Sequence, residues 1–229
     1  MIVSCLCVTE NRPAFLPWLL WNYDKQGHSR KELVIVDSSA EPSPWPHRAD
    51  IKVVRCPEGS GVPQKRNLAL EAATGDLVTW FDDDDWQHPQ KLTILVSAVE
   101  NGSPLAGSRR SWFVDLWRER CRPFEVHRGV IFNSAGFRRS TLKSIRFDEG
   151  RTKASDTSWM SAVQRNNRYE IKVVPETLSC WLCHSGNLSN PSSKYSFPRK
   201  LSEVANSVGT EHWCDTGDHL RELRNRLKG

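Results

Sequence analysis

Leu77-Val78-Thr79-Trp80-Phe81 runs directly into Asp82-Asp83-Asp84-Asp85, and this junction of an apolar run with a block of carboxylates decides the reading of the chain. The apolar run has the length of one buried strand. Carboxylates packed side by side repel one another and resist ionisation, so a fold keeps such a block at the end of a core strand when a cation neutralises it. Hard oxygen donors suit Mg2+ or Mn2+, ions that hold positions open for water and substrate phosphates. A solvated acidic turn is the bland alternative. The strand in front and His88-Pro89 opening a helix behind argue against it.

Outward from that junction, short runs rich in Val and Ile alternate with longer stretches of helical spacing, the signature of a largely parallel sheet covered by helices. Strands are expected at Ile2 to Val8, Leu33 to Val36, Ile51 to Arg55 and Leu77 to Phe81, with helices at Pro13 to about Gln26 and Val62 to Ala73, the latter closed by Gly75. In such sheets ligands sit beyond the carboxyl ends of the strands, and Thr9 to Arg12, Asp37 and Asp82 to Asp85 all lie there. The second half is less regular. It offers helices from about Gln90 to Glu100 and Thr157 to Arg165, and strands near Trp112 to Leu116, Val130 to Asn133, Ile171 to Val174 and Leu178 to Leu182.

The chain has 229 residues, 38% hydrophobic and 26% charged, the balance of an ordinary globular protein with one sizeable core. Its N-terminus reads as a first strand and not a signal peptide, and no stretch reaches the roughly 20 apolar residues that span a bilayer, so a cytoplasmic protein is expected. The net charge of +5 conceals an asymmetry. Residues 1–100 carry 10 Lys and Arg against 14 Asp and Glu, whereas residues 101–229 carry 22 against 13. A basic second half suits an anionic partner, although solvated helix faces produce similar excesses.

Seven cysteines, an odd number, fit reduced thiols better than a disulfide framework. Cys180, Cys183 and His184 spell the CxxCH of covalent haem attachment, but no export signal accompanies it and no second ligand pair completes a zinc site. Both cysteines are therefore taken as strand residues. Asn187 lies in an N-x-S pattern that needs export to matter. Ten tryptophans are many for this length, and Trp86, Trp112, Trp117 and Trp181 fall near the expected site, where aromatic faces bind sugar rings or stack on bases.

The succession CVTENRP, VIVDSS, GVPQKRNLALEAATGD and VTWFDDDDWQHPQKL resembles the nucleotide-sugar-binding half of family 2 glycosyltransferases of the GT-A fold. It covers about the first 95 residues well and the segment from Phe147 to Ser189 more loosely. The resemblance implies an α/β fold: a single GT-A domain over residues 1–229, with a Rossmann-like, mostly parallel sheet flanked by helices. Residues 1–100 would hold the nucleotide sugar, and residues 101–229, with C-terminal helices, the acceptor. Thr9, Glu10, Asn11 and Arg12 would line the nucleotide, Asp37 would meet the base edge, and Lys65, Arg66 and Asn67 would reach the nucleotide from a helix entrance. The DxD pattern falls on Asp82 and Asp84. Asp84 would be the direct ligand of Mn2+ or Mg2+, Asp82 or Asp83 would touch ribose or metal, and His184 would complete the metal shell or touch the diphosphate.

The family usually supplies its base from an acidic pair just before a helix. Here Asp156 stands in that context with Ser155 in place of the partner acid, and Asp148 and Glu149 are held in reserve. The implied reaction is an inverting transfer from a nucleoside diphosphate sugar, UDP-linked by expectation, to a saccharide or small-molecule hydroxyl. Modified DNA or another polyanion is the alternative acceptor. A nucleotidyltransferase and a non-catalytic nucleotide-sugar-binding module are the competing classes. Each residue also has a structural explanation: Asp37 as a loop cap, Lys65 and Arg66 as a solvated helix face, Asp156 as a helix cap, and His184 as a strand-end histidine.

Overall fold

The computed structural model describes residues 1–142, 144–166, 171–184, 196–213 and 216–228. Its organising element is a sheet whose central strands are apolar on both sides, as strands covered by helices on two faces must be. These are β1 (Val3–Thr9), β2 (Lys31–Asp37) and β4 (Leu77–Trp80), with the half-exposed β3 (Ile51–Arg55) at the sheet's edge. Alternate residues of β1 and β2 serve opposite layers. Val3, Cys5, Cys7, Leu33 and Ile35 pack with Leu19 and Tyr23 of α1 (Leu16–Asp24) and Leu92, Leu95 and Val99 of α3 (Lys91–Glu100). Leu6, Val34 and Val36 pack with Ala69 of α2 (Val62–Ala72) and with Trp159 and Val163 of α4 (Ser155–Asn166).

Among the described residues the strands form two sheets. The larger has the order β10-β6-β9-β4-β1-β2-β3, completed by β6 (Leu105–Ser108), β9 (Gly136–Arg138) and β10 (Lys172–Val174). β9 pairs antiparallel with both neighbours, and the remaining pairings are parallel. The direction of winding reverses between β1 and β4, which opens a crevice at their carboxyl ends. Gly75 is required just before β4, because a Cβ there would lie 2.8 Å from Ser4 N and 2.9 Å from Ile2 O.

The smaller sheet, ordered β12-β8-β7-β11-β5, is built from β5 (Asp85–Gln87), β7 (Arg110–Asp115), β8 (Arg120–Glu125), β11 (Ser179–Cys183) and β12 (Arg199–Lys200). One face is covered by α5 (Ser202–Val208), α6 (Thr210–Trp213) and α7 (Thr216–Arg226), through Val204, Val208, Trp213, Leu220 and Leu223. β5 begins at the last aspartate, so the acidic block is the hinge between the two sheets.

Three expectations change. The helix expected from Pro13 is a short 3-10 turn (Pro13–Phe15) followed by α1, with Pro17 in its first turn, where a missing N–H costs nothing. The strand expected at Val130 to Asn133 is replaced by a 3-10 turn (Phe132–Ser134), and the strand follows it as β9. β6 and β8 escaped the sequence reading: the first contains Ala106 and Gly107, and the second breaks its apolar alternation with Arg120, Arg122 and Pro123. No helix is long and apolar enough to cross a membrane among the described residues. Asn187 and its N-x-S pattern lie outside the described residues.

Candidate functional site

The loop after β1, the end of β2, the start of α2 and the acidic block meet at the crevice. Asn11 adopts φ 53°, a left-handed conformation that asparagine tolerates better than most residues. Its backbone N–H donates to Ser39 Oγ at 2.7 Å, and its side-chain oxygen accepts from Ala40 N at 3.1 Å. The loop is thus fixed to the segment following β2. Glu10 accepts from Gly59 N at 3.0 Å and from Lys65 Nζ at 2.9 Å, the lysine contact being the main reason its carboxyl titrates below the ordinary value.

The acidic block alternates. Asp83 and Asp85 are buried, whereas Asp82 and Asp84 keep part of their surface open. Asp83 accepts from Thr9 Oγ1 at 2.7 Å and from Arg12 Nη1 at 2.8 Å. Asp85 accepts from Asn133 Nδ2 at 2.6 Å, and its carbonyl accepts from Trp18 Nε1 at 3.0 Å. Asp84 Oδ2 lies 2.5 Å from Arg12 Nη2 and 3.2 Å from His184 Nε2. His184, buried at the end of β11, also stands 3.1 Å from Arg12 Nη2, with its ring 4.7 Å from Phe15.

Burial shifts the acids unequally. It pushes Asp83 up to about 7 despite Arg12, and it raises Asp82 despite Arg66. At Asp84 burial is outweighed by His184 and Arg12, which hold the carboxyl down at about 2. The neutralising cation inferred from the sequence is therefore supplied in part by the chain itself, as the Arg12 guanidinium. A second cation, Lys91, lies fully buried beneath the block and donates to Trp80 O at 2.8 Å, Gln87 Oε1 at 2.8 Å and Asn133 O at 2.7 Å. Sequence reasoning missed it, yet a signal existed: a lysine in the first turn of a helix opposes the helix dipole and needs another reason to be there.

The remaining candidates divide. Asp37 is buried at the end of β2 and accepts from Ser39 N at 2.8 Å and Trp45 Nε1 at 3.0 Å, with Arg55 Nη1 at 3.1 Å. Its loop-capping contacts are thus real, and Ser38, Ser39 and Trp45 join it at the crevice. Lys65 and Arg66 are not a solvated face. Lys65 is buried and donates to Ser38 Oγ at 3.0 Å. The Arg66 guanidinium sits 4.7 Å from the Phe132 ring centre and 5.4 Å from those of Trp80 and Phe147. Its burial disfavours the charge, an effect that Asp82 and Asp156 offset only in part. Its Nε finds no hydrogen-bond partner among the described residues. Asn67 instead secures the next segment, donating to Phe147 O at 3.0 Å and Glu149 Oε1 at 2.8 Å while accepting from Phe147 N at 2.8 Å.

Asp156 stands in the first turn of α4 and accepts from Thr157 N at 2.8 Å. Ser155 beside it accepts from Arg66 Nη1 at 3.4 Å. Of the tryptophans, Trp86 and Trp112 are removed from the site: both are buried under the C-terminal helices, Trp86 against Trp213 and Trp112 donating to Ser207 Oγ. Trp117 is 41% exposed, and Trp181 is half-buried on the opposite face of the smaller sheet. Cys180 and Cys183 are buried strand residues whose thiols burial pushes up, the second to about 12.

Among the described residues no three His, Cys, Asp or Glu side chains are gathered as a preformed metal cage. The donor set nevertheless fits Mg2+ or Mn2+, ions commonly held by one or two carboxylates with substrate phosphates completing the shell. Asp82 and Asp84 are the carboxylates that keep an open side, and His184 adjoins Asp84.

A Rossmann-like sheet with a carboxylate block at its switch point, joined to a smaller sheet, defines a glycosyltransferase of the GT-A fold. The chain belongs to glycosyl transferase family 2, whose model matches residues 4–165. It is 26% identical over 102 residues to an uncharacterised glycosyltransferase of Haemophilus influenzae, a match spanning 43% of this chain and 35% of that protein. It is 30% identical over 105 residues to the uncharacterised glycosyltransferase YwdF of Bacillus subtilis, spanning 44% and 39%. The chain thus matches little more than a third of the length of these relatives. In structure it is similar to S. aureus TarS 1–349 in complex with UDP-GlcNAc, with TM-score 0.66, 20% identity, and coverage of 86% of this chain and 62% of TarS. It is also similar to the mannosyltransferase PcManGT of Pyrobaculum calidifontis in complex with GDP-Man and Mn2+, with TM-score 0.64, 16% identity, and coverage of 99% and 74%. At these identities the likeness is one of fold.

Proposed function

We propose that the two sheets act as one catalytic unit that transfers a sugar, with inversion, from a nucleoside diphosphate sugar, UDP-linked by first choice, to a hydroxyl of a saccharide or small molecule. The observation that carries this reading is the alternation of the acidic block. Asp83 and Asp85 are buried, held by Thr9 and Asn133, whereas Asp82 and Asp84 keep part of their surface open, Asp84 while paired with Arg12 and His184. This reading takes Asp82 and Asp84 as the DxD pair that holds the nucleotide sugar.

In this reading Thr9 to Arg12, Asp37, Lys65 and Arg66 surround the nucleotide, and Asn67 acts by fixing the Phe147–Glu149 segment that leads to α4. Asp82 and Asp84, with His184, would hold Mn2+ or Mg2+, which when bound offsets the charge on the diphosphate. Asp156 takes the proton of the attacking hydroxyl as its oxygen closes on the anomeric carbon, and the diphosphate departs from the opposite face. The hydroxyl becomes acidic late in the step, so positioning of the carboxylate supplies much of the rate.

The test is thermal stabilisation against a panel of nucleoside diphosphates and nucleotide sugars with Mn2+, Mg2+ or EDTA, on wild type and Asp84→Ala. A shift of several degrees with one nucleotide, abolished by EDTA or by the substitution, is expected, together with a loss of transfer on the order of a thousandfold in the variant. No shift with any nucleotide at millimolar concentration would sink the donor site.

A further inference from the structure

Two carboxylates stand at the end of the crevice away from the acidic block, Glu10 just after β1 and Asp37 closing β2, and their surroundings differ. Asp37 is closed. Its side chain has 0% of its surface exposed, Oδ1 accepts from Ser39 N at 2.8 Å, and Oδ2 is shared by Trp45 Nε1 at 3.0 Å, Arg55 Nη1 at 3.1 Å and Ser43 N at 3.4 Å. A base edge could reach it only by displacing the loop that these donors hold. Glu10 is open, with 31% of its side chain exposed. Gly59 N donates to its Oε1 at 3.0 Å and Lys65 Nζ to its Oε2 at 2.9 Å, with a lesser contribution from Ser38. A carboxylate offers about four acceptor positions, so room remains for a further donor.

Lys65 serves to hold this arrangement. An ammonium has three protons, and here they meet Glu10, Ser38 Oγ at 3.0 Å and Thr9 O at 3.5 Å, so the lysine fixes Glu10 and has no proton left for a base. Lys65 above all, and Gly59 after it, keep the Glu10 carboxyl below its ordinary range, so at neutral pH it accepts and does not donate. The chain itself ties Glu10 to the acidic block. Thr9 before it donates to Asp83, and Arg12 two positions on binds both Asp83 and Asp84. Two residues of extended chain span roughly 7 Å, so Glu10 and the acidic block belong to one site.

An acceptor-only group fixed in this way discriminates between bases. Uracil, thymine and guanine present a protonated ring nitrogen on the pairing edge, and guanine adds an amino group beside it. Cytosine and adenine present a lone pair at that ring position, which a carboxylate repels. We infer that Glu10, and not Asp37, reads the base of the donor, and that this base carries a ring N–H, as uracil, thymine and guanine do. This assignment rests on the donor site proposed above and adds the residue that selects the nucleotide, with Asp37 acting through the loop it holds.

The test is calorimetric titration of the full chain with UDP, GDP, CDP and ADP in the presence of Mn2+, on wild type, Glu10→Gln, Glu10→Asp and Asp37→Asn. Wild type is expected to bind UDP or GDP at least tenfold more tightly than CDP and ADP, the two arms showing which ring N–H is preferred. Glu10→Gln should lower that ratio at least tenfold, by weakening the preferred nucleotide and strengthening CDP, whose ring lone pair the new amide can meet. An unfolded variant would bind none and could not strengthen CDP. Glu10→Asp keeps the charge but withdraws it by one carbon, and should narrow the ratio without changing the order. Asp37→Asn should weaken all four alike through the loop. Equal binding of CDP or ADP with UDP and GDP by wild type, an unchanged ratio in both Glu10 variants, or a ratio abolished by Asp37→Asn alone would each overturn the role of Glu10. Those three results leave nucleotide binding intact, whereas wild type that binds none of the four overturns the donor site together with Glu10, so the two failures are seen apart.

Discussion

The larger sheet hems its cations in with acceptors, and the smaller sheet carries arginines at its surface. At the ends of β1 and β4, Arg12, Lys65 and Lys91 are each enclosed by hydrogen-bond acceptors, and every one of them touches or underlies an acidic side chain or a carbonyl. On β7 and in the turn after it, Arg110 is two-thirds exposed beside Glu125, and Arg118 is equally exposed beside Asp115. The contrast teaches where geometry is fixed before a ligand arrives. A diphosphate-sized charge demands a rigid, low-dielectric arrangement, because reorganisation at the moment of reaction would forfeit its benefit.

The proposed base tests whether the two regions meet. Asp156 belongs to the second half of the chain, yet it and Asp82 both act on Arg66. Asp156→Asn keeps the side-chain oxygen that accepts from Thr157 N, so the start of α4 should survive while the proton acceptor is lost. Transfer should fall on the order of a thousandfold, with the nucleotide-induced thermal shift unchanged. If transfer survives within a few-fold, the base lies elsewhere, and Asp148 and Glu149 become the next candidates.

Lys91 tests the rigidity of the first region. Its ammonium is fully buried, and burial lowers its pKa to about 8 even with Asp82 and Asp85 nearby. Lys91→Met fits the same channel but leaves the Trp80 and Asn133 carbonyls and the Gln87 side chain without their donor. We expect a loss of about 3 kcal/mol of stability, measured by urea denaturation. A change below about 1 kcal/mol would mean that water replaces the ammonium and that the acidic block does not depend on it.

The same contrast explains what was legible in the sequence. β1, β2 and β4 announced themselves because strands covered on both faces are nearly continuous apolar runs, and the crevice followed from where those runs end. Asp37, Thr9 and the acidic block stand out for that reason. Asn133 and Phe132 were not, because a 3-10 turn inserted before β9 has no periodicity, and the turn was taken for a strand. The half-exposed β8 alternates cationic, proline and aromatic residues, so its face shows only once register places Arg122 beside Phe113. The Asn67 side chain pairs with the Phe147 backbone and the Glu149 side chain some eighty residues along the chain, a pairing that no local pattern encodes.

The smallest expected effect concerns the seam between the regions. His88 precedes α3 and is buried, with Gln90 N donating to its Nδ1 at 3.0 Å and its Nε2 lying 3.3 Å from Val208 O of α5. An N–H pointing at Nδ1 requires a lone pair there, so the neutral ring with hydrogen on Nε2 satisfies both partners. Protonation would set Nδ1–H against Gln90 N–H. Burial, reinforced by the His212 ring 4.6 Å away, lowers the pKa from 6.5 to about 4, against the pull of Val208 O and Glu211. Because the folded value lies below the unfolded one, the contribution of His88 is whole above pH 6.5 and is lost as pH falls toward 4. The loss is on the order of 2 kcal/mol. Melting curves between pH 7.5 and 4.5 should therefore converge for wild type and His88→Asn as acid removes the advantage of the neutral ring. Parallel curves would mean that the seam titrates through other groups, and that the C-terminal helices are joined to the larger sheet by packing alone.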